Sequence, residues 1–226
     1  MTGETFRAQV ALFSNLSDES VAQLVEGLRQ TAYEPGEVIV REDDEAARFF
    51  LITSGRVKIS LRSLDEREVT LTYLGPGDFF GEMSVLDGQP RSASATASER
   101  TTALVGTREH FVTKLLEHPQ IALNLLVTMS RRLREADERI GDLSFLDVQG
   151  RVAHLLLDLA EKEGEQTEAG VVVPLTYTRQ ELASMVSTSR ETLTRVLKTF
   201  ERLGFLKLGR KKVVLTNIPR LERKTV

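Results

Sequence analysis

The chain of 226 residues contains no cysteine. That removes disulfides, thiolate nucleophiles, iron–sulfur clusters and cysteine-ligated zinc together. Histidine is scarce: His110, His118 and His154 are scattered without metal-ligand spacing, so no metal is expected. No nucleophile stands beside an evident base, so no enzyme is expected either. Long apolar runs are missing as well, and none approaches the length that crosses a bilayer. The opening residues MTGETFRAQVALF lack a basic start followed by a long apolar stretch. A cytoplasmic protein with no membrane partner is the expectation.

What is present is an uneven charge. The net charge is −3, yet from Thr178 onward 12 Lys and Arg face 4 Asp and Glu, a net of +8. The preceding 177 residues carry 18 against 29, a net of −11. A basic module at the end of an acidic body points to a polyanionic partner for that module alone.

Hydropathy divides the chain into three stretches. From about Tyr33 to Val105, runs such as Arg56–Leu61 and Glu68–Tyr73 alternate apolar and polar residues, with turn signals at Glu34-Pro35-Gly36, Ser54-Gly55 and Gly75-Pro76-Gly77-Asp78. Many short strands so punctuated predict a small sandwich or barrel. Ahead of them, Ser17 to Leu28 reads as a helix capped by Ser17. Next, His118 to Phe145 reads as a long helix. Its apolar residues Ala122, Leu126, Met129, Leu133, Ala136, Ile140 and Leu143 alternate spacings of four and three. Arg131, Arg132, Arg134, Glu135, Glu138 and Arg139 lie off that seam. A heptad seam predicts a parallel homodimer, with Leu123 and Leu125 offering extra apolar surface toward the strand domain. The alternative is a helix packed only on its own domain.

The third stretch begins near Asp147, with a helix over Val152–Leu159 and an acidic loop over Glu161–Gly170. Thr178-Arg179-Gln180-Glu181 is a capping box, and Ser189 is positioned to cap a second helix with Glu191 in its first turn. That helix buries Leu193, Val196, Leu197 and Phe200 and exposes Arg190, Glu191, Thr194, Arg195 and Lys198. Two short helices with a tight turn predict a helix-turn-helix. Arginine grips guanine O6 and N7, and glutamate accepts from cytosine N4. Lys198 and Arg202 are placed for phosphates. Phe205–Leu208 and Val213–Leu215 flank Gly209-Arg210-Lys211-Lys212, a hairpin whose cationic tip suits a sugar-phosphate chain. The alternative is a helical pair in a protein–protein module.

One further stretch, GEMSVLDGQPRSASA from Gly81 to Ala95, places Glu82 and Arg91 around an apolar run. With IGDLSFLDVQGRVAHLLLDLA (Ile140–Ala160) and TRQELASMVSTSRETLTRVLK (Thr178–Lys198), it resembles the cyclic-AMP receptor protein (CRP/FNR) family of bacterial transcription regulators over nearly the full chain. The family's iron–sulfur oxygen sensors carry N-terminal cysteines, so that branch does not apply. The resemblance implies that Gly81 to Ser92 form a phosphate-binding cassette. Glu82 would accept from a ribose 2′-hydroxyl, Gly81 would let the backbone approach, a short helix starting near Met83 would point amides at the anion, and Arg91 and Ser92 would hold the cyclic phosphate. Helix amides and arginine suit an anion, whereas glutamate suits a hydroxyl. The alternative is an internal Glu82–Arg91 salt bridge with no ligand. Where the family's cyclic-AMP branch offers threonine and serine hydroxyls to adenine, this chain has Ala136 and Asp137. Asp137 accepts from an exocyclic amine and opposes a guanine O6.

The expected fold class is α+β: a nucleotide-binding β-roll, jelly-roll-like, over residues 1–117, a dimerisation helix and hinge over 118–146, and a winged helix-turn-helix over 147–226. The expected function is a homodimeric regulator of transcription, controlled by cyclic AMP as effector and binding a two-fold TGTGA/TCACA-like site in double-stranded DNA. Thr178, Arg179, Ser189, Arg190, Glu191, Thr194, Arg195, Lys198, Arg210 and Lys211 are the expected DNA contacts. The acidic loop and the turn from Ser63 to Arg67 match places where the family touches RNA polymerase, a further expected partner, although both are generic in sequence. Two other readings are a same-fold regulator that needs no nucleotide, and a nucleotide-binding regulatory subunit of a partner enzyme.

Overall fold

The computed structural model describes residues 10–45, 48–62 and 68–225. Most of the opening stretch inspected for a leader, and the turn from Ser63 to Arg67, lie outside those residues. The chain forms two compact units that divide between Leu133 and Arg134.

In the first unit, eight strands form two antiparallel sheets of four. β1 (Arg29–Tyr33), β8 (Thr101–Thr107), β3 (Arg48–Ser54) and β6 (Phe79–Phe80) make one. β2 (Val38–Val40), β7 (Ser94–Ala97), β4 (Val57–Arg62) and β5 (Glu68–Leu74) make the other. Apolar alternation along β4 predicts Val57, Ile59 and Leu61 on one face. The β4–β5 register shifts between Ile59 and Ser60, so that Val57 and Ser60 are buried while Ile59 and Leu61 are only half-buried. A bulge breaks the two-residue period and flips the face.

Helix α1 (Asp18–Val25) starts where expected, with Ser17 accepting from the Ser20 amide. It stops short of Leu28 because Gly27 turns left-handed at φ +85°. α2 (Glu82–Asp87) follows β6, and α3 (Arg108–Glu117) is capped by Thr107. The long helix α4 runs from Pro119 to Phe145. Its Ile121, Asn124, Leu125 and Thr128 are buried. Asn124 Nδ2 donates to the carbonyls of Leu12 and Ser14, tying the chain's described start to α4.

This phase differs from the expectation at one seam residue and at one residue beside the seam. Met129 is half-buried against the first unit's own core, whereas Leu123 is 53% exposed. Leu125 is buried as expected. Leu126, Leu133, Ile140 and Leu143 remain exposed, as does Ala136.

The second unit holds α5 (Val148–Glu163), α6 (Arg179–Met185), α7 (Arg190–Arg202) and α8 (Ile218–Glu222) around a sheet in the order β11-β12-β10-β9. The acidic loop is not a plain loop. Glu165–Thr167 (β9) and Gly170–Pro174 (β10) pair as a hairpin there. β11 (Leu206–Gly209) and β12 (Lys212–Leu215) form the expected second hairpin.

Candidate functional site

The cassette is built at the junction of β6 and α2. Phe80 stacks on Phe50 with ring centroids 4.6 Å apart, which fixes the end of the strand. Gly81 then takes φ +83°. A Cβ there would lie 2.6 Å from both the Arg48 carbonyl and Arg91 Nη1, so only glycine fits. Glu82, the first residue of α2, is 4% exposed, and Arg91 is 3% exposed.

Arg91 is held from both ends. Its amide donates to the Asp44 carbonyl and its carbonyl accepts from the Asp43 amide. Nη1 donates to the Gly81 carbonyl at 3.0 Å and Nη2 to the Arg48 carbonyl at 2.7 Å. Nε is buried without a partner. A buried donor left unpaired costs about 1–3 kcal/mol, a cost that an acceptor reaching Nε would relieve. Burial pulls the Arg91 guanidinium below its usual range, and the nearby Glu82 and Asp44 carboxylates pull back.

Glu82 does not make its salt bridge with Arg91. Its Oε1 accepts from Arg132 Nη1 at 3.0 Å, and Arg132 Nη2 donates to the Phe79 carbonyl at 2.6 Å. The Arg132 guanidinium also lies 4.7 Å from the centroid of the Phe79 ring. Burial raises the Glu82 carboxyl above the usual carboxylate range, with Arg132 the main opposing influence. Two guanidiniums, Arg91 and Arg132, thus meet the Glu82 carboxylate in a largely dry site, with the Asp44 carboxylate also acting on Arg91.

Arg132 is a site residue that the sequence pattern placed only as lying off the heptad seam. A signal was there: with Ile121, Leu125 and Thr128 it falls at i, i+4, i+7 and i+11, on the face that α4 buries. A cation on a buried face demands a partner. Of the other cassette residues, Met83 is 50% exposed and its Sδ accepts from Ser92 Oγ at 3.7 Å. Ser92 is exposed. Asp137 and Ala136 are exposed on α4 beyond the unit boundary.

The second candidate surface belongs to the C-terminal unit. Thr178 and Glu181 complete the capping box that starts α6. Ser189 accepts from the Thr192 amide to start α7. α7 buries Leu193, Val196, Leu197 and Phe200. Its opposite face is an open patch carrying Arg190, Glu191, Thr194, Arg195, Lys198, Thr199 and Arg202. Arg179, at the start of α6, keeps Nη1 buried and unpartnered, and burial depresses its guanidinium. Arg210 and Lys211 are exposed at the β11–β12 tip. Glu201 on α7 accepts from the Leu208 amide and so fixes that hairpin to the helix. Among the described residues, no cluster of three or more His, Cys, Asp or Glu could hold a metal. No helix among them is long and apolar enough to cross a membrane.

A buried charged cassette and a winged reading motif in one chain match known proteins in the same arrangement. Residues 30–118 match the cyclic nucleotide-binding domain, and residues 150–224 the Crp-like helix-turn-helix domain. A CRP-like cAMP-activated global transcriptional regulator of Mycobacterium tuberculosis is 35% identical, covering 96% of this chain and 97% of its own. The chain belongs to the CRP family of transcription regulators. A cyclic AMP receptor protein of Thermus thermophilus is 37% identical over 88% of each chain. The solved structure of a CooA variant from Carboxydothermus hydrogenoformans is 25% identical, with a TM-score of 0.81 over 90% of each chain. This CRP-family chain is therefore a DNA-binding regulator with a cyclic-nucleotide-binding domain, and not an enzyme.

Proposed function

We propose that this regulator is a cytoplasmic homodimer which cyclic AMP shifts to a DNA-competent form. It binds a two-fold TGTGA/TCACA-like site and acts with RNA polymerase. The observation that carries the nucleotide reading is the oriented Arg91 guanidinium with its orphan Nε, beside a Glu82 held by Arg132. A cyclic phosphodiester carries one negative charge and supplies the missing acceptor, and its ribose 2′-hydroxyl donates to Glu82. The two relatives named for cyclic AMP support the choice of base.

Arg132 is the link between guest and helix. It stands on α4, and any change in its hold on Glu82 acts directly on that helix. The nucleotide shifts the population only insofar as it binds the DNA-competent form more tightly. In a dimer paired along α4, the reading helices address half-sites about one turn, ~34 Å, apart. Arg190, Glu191 and Arg195 read the G·C pairs of each half-site, while Lys198, Arg210 and Lys211 take phosphates.

A second reading, a regulator that needs no nucleotide, draws on one fact: Glu82 already has a partner in Arg132. The exposed reading face argues against a regulatory subunit of an enzyme. Titrating a TGTGA/TCACA duplex with and without cyclic AMP, with cyclic GMP as control, decides. Binding at least tenfold tighter with cyclic AMP, abolished in Arg91→Ala, is expected. Equal affinity in all conditions selects the second reading, and absence of sequence-specific binding removes both.

A further inference from the structure

We propose that Thr194 reads the C5-methyl group of one thymine in each half-site, as a specificity-determining residue beside the hydrogen-bonding side chains. The inference rests on α7 entering the major groove of the proposed two-fold site.

Thr194 lies on the same open face of α7, one turn beyond Arg190 and one turn before Lys198. Its hydroxyl is already engaged: Oγ1 donates to the Arg190 carbonyl at 2.7 Å. A hydroxyl turned back on its own helix leaves the methyl as the group presented on the stripe. Arg190, Glu191, Arg195 and Lys198 around it are all charged. Thr199 is likewise back-bonded, to the Arg195 carbonyl at 3.0 Å, but it lies a turn further on, beside Arg202. Residues near the start of a reading helix meet base edges, which favours Thr194 over Thr199. In the major groove thymine alone carries a methyl, and a threonine methyl is an apolar partner for it.

The test uses single thymine-to-uracil replacements, each of which deletes only the C5-methyl. Wild type, Thr194→Ser and Thr194→Val are titrated with the parent duplex and with each uracil duplex, in cyclic AMP. Wild type is expected to lose about fourfold at one thymine per half-site, the worth of one buried methyl. Thr194→Val keeps a methyl and loses the hydroxyl, so it keeps that sensitivity. Thr194→Ser keeps the hydroxyl and loses the methyl, so it binds the thymine and uracil duplexes equally. A fourfold loss that survives in Thr194→Ser, or a wild type indifferent to uracil everywhere while binding the parent duplex, overturns the assignment. Failure to bind the parent duplex at all overturns instead the site reading beneath it. Circular dichroism of both variants shows that α7 is intact.

Discussion

Burial works against the charge on Glu82, and Arg132 works for it. Because the folded value is raised, ionised Glu82 subtracts from stability. That cost is absent below the ordinary carboxylate value near 4.5, grows as pH rises through the raised value, and is complete above it. Urea unfolding of wild type and Glu82→Gln between pH 4 and 8 is expected to show wild type losing stability relative to the variant as pH rises. Parallel profiles would remove the argument. Arg132→Ala leaves the carboxylate buried and unpaired. Losing one partner of a fully buried pair costs roughly 3–5 kcal/mol. Arg132 has a side chain 25% exposed, so about 2 kcal/mol is expected here. The double variant Glu82→Gln/Arg132→Ala should recover part of the loss, and strict additivity would contradict the pairing. Glu82 and Arg91 were legible in the sequence because ions embedded in an apolar run stand out. Arg132 was not, because its partner is 50 residues away and a heptad reading follows only the exposed seam.

At the level of elements, the caps were the most legible features. Ser17, Thr178 and Ser189 each accept an amide three residues on, a contact written entirely in local sequence. The turn between α6 and α7 was less so. Ser187 there takes φ +50°, a left-handed conformation that serine does not announce as glycine would. Ser187→Gly is expected to raise stability by about 0.5–1 kcal/mol, read by thermal unfolding, with DNA affinity unchanged. The same turn is held from outside. Arg139 on α4 donates to the Met185 carbonyl at 3.3 Å, and Arg151 on α5 donates to the Val186 carbonyl at 3.0 Å. Asp142 and His154 meet at 2.5 Å beside them. Arg139 belongs to the set read as lying off the seam, yet burial depresses its guanidinium, with Asp142, Asp158 and Glu135 opposing. Strand pairings were also beyond the sequence. Punctuation marks where strands begin, but nothing local tells Arg29 that it pairs with Val105.

For the whole molecule, the exposed stripe on α4 is the feature that a solitary chain does not explain. Leu126 and Leu133 are each 63% exposed, Ile140 62% and Leu143 48%. In the proposed homodimer a second copy covers this stripe. Ile140→Glu is expected to convert the protein to a monomer by sedimentation and to abolish high-affinity binding to the two-fold duplex. An intact dimer in that variant would contradict the pairing. The charge division of +8 against −11 confines electrostatic attraction to the C-terminal module. The logarithm of DNA affinity should therefore fall linearly with that of salt concentration, and Arg210→Ala and Lys211→Ala should each reduce the slope by about one. An unchanged slope would take the hairpin tip away from the phosphates.

α4 is a continuous helix from Pro119 to Phe145, and Arg132 and Arg139 stand seven residues apart along it. Each residue advances a helix by about 100°. Deleting a single position between them turns every later residue of α4 by that angle about the helix axis, whereas adding seven restores the phase to within about 20°. Along the proposed dimer seam, changes of length in this stretch therefore keep the helix in phase only in whole heptads, however ordinary the residues that fill it.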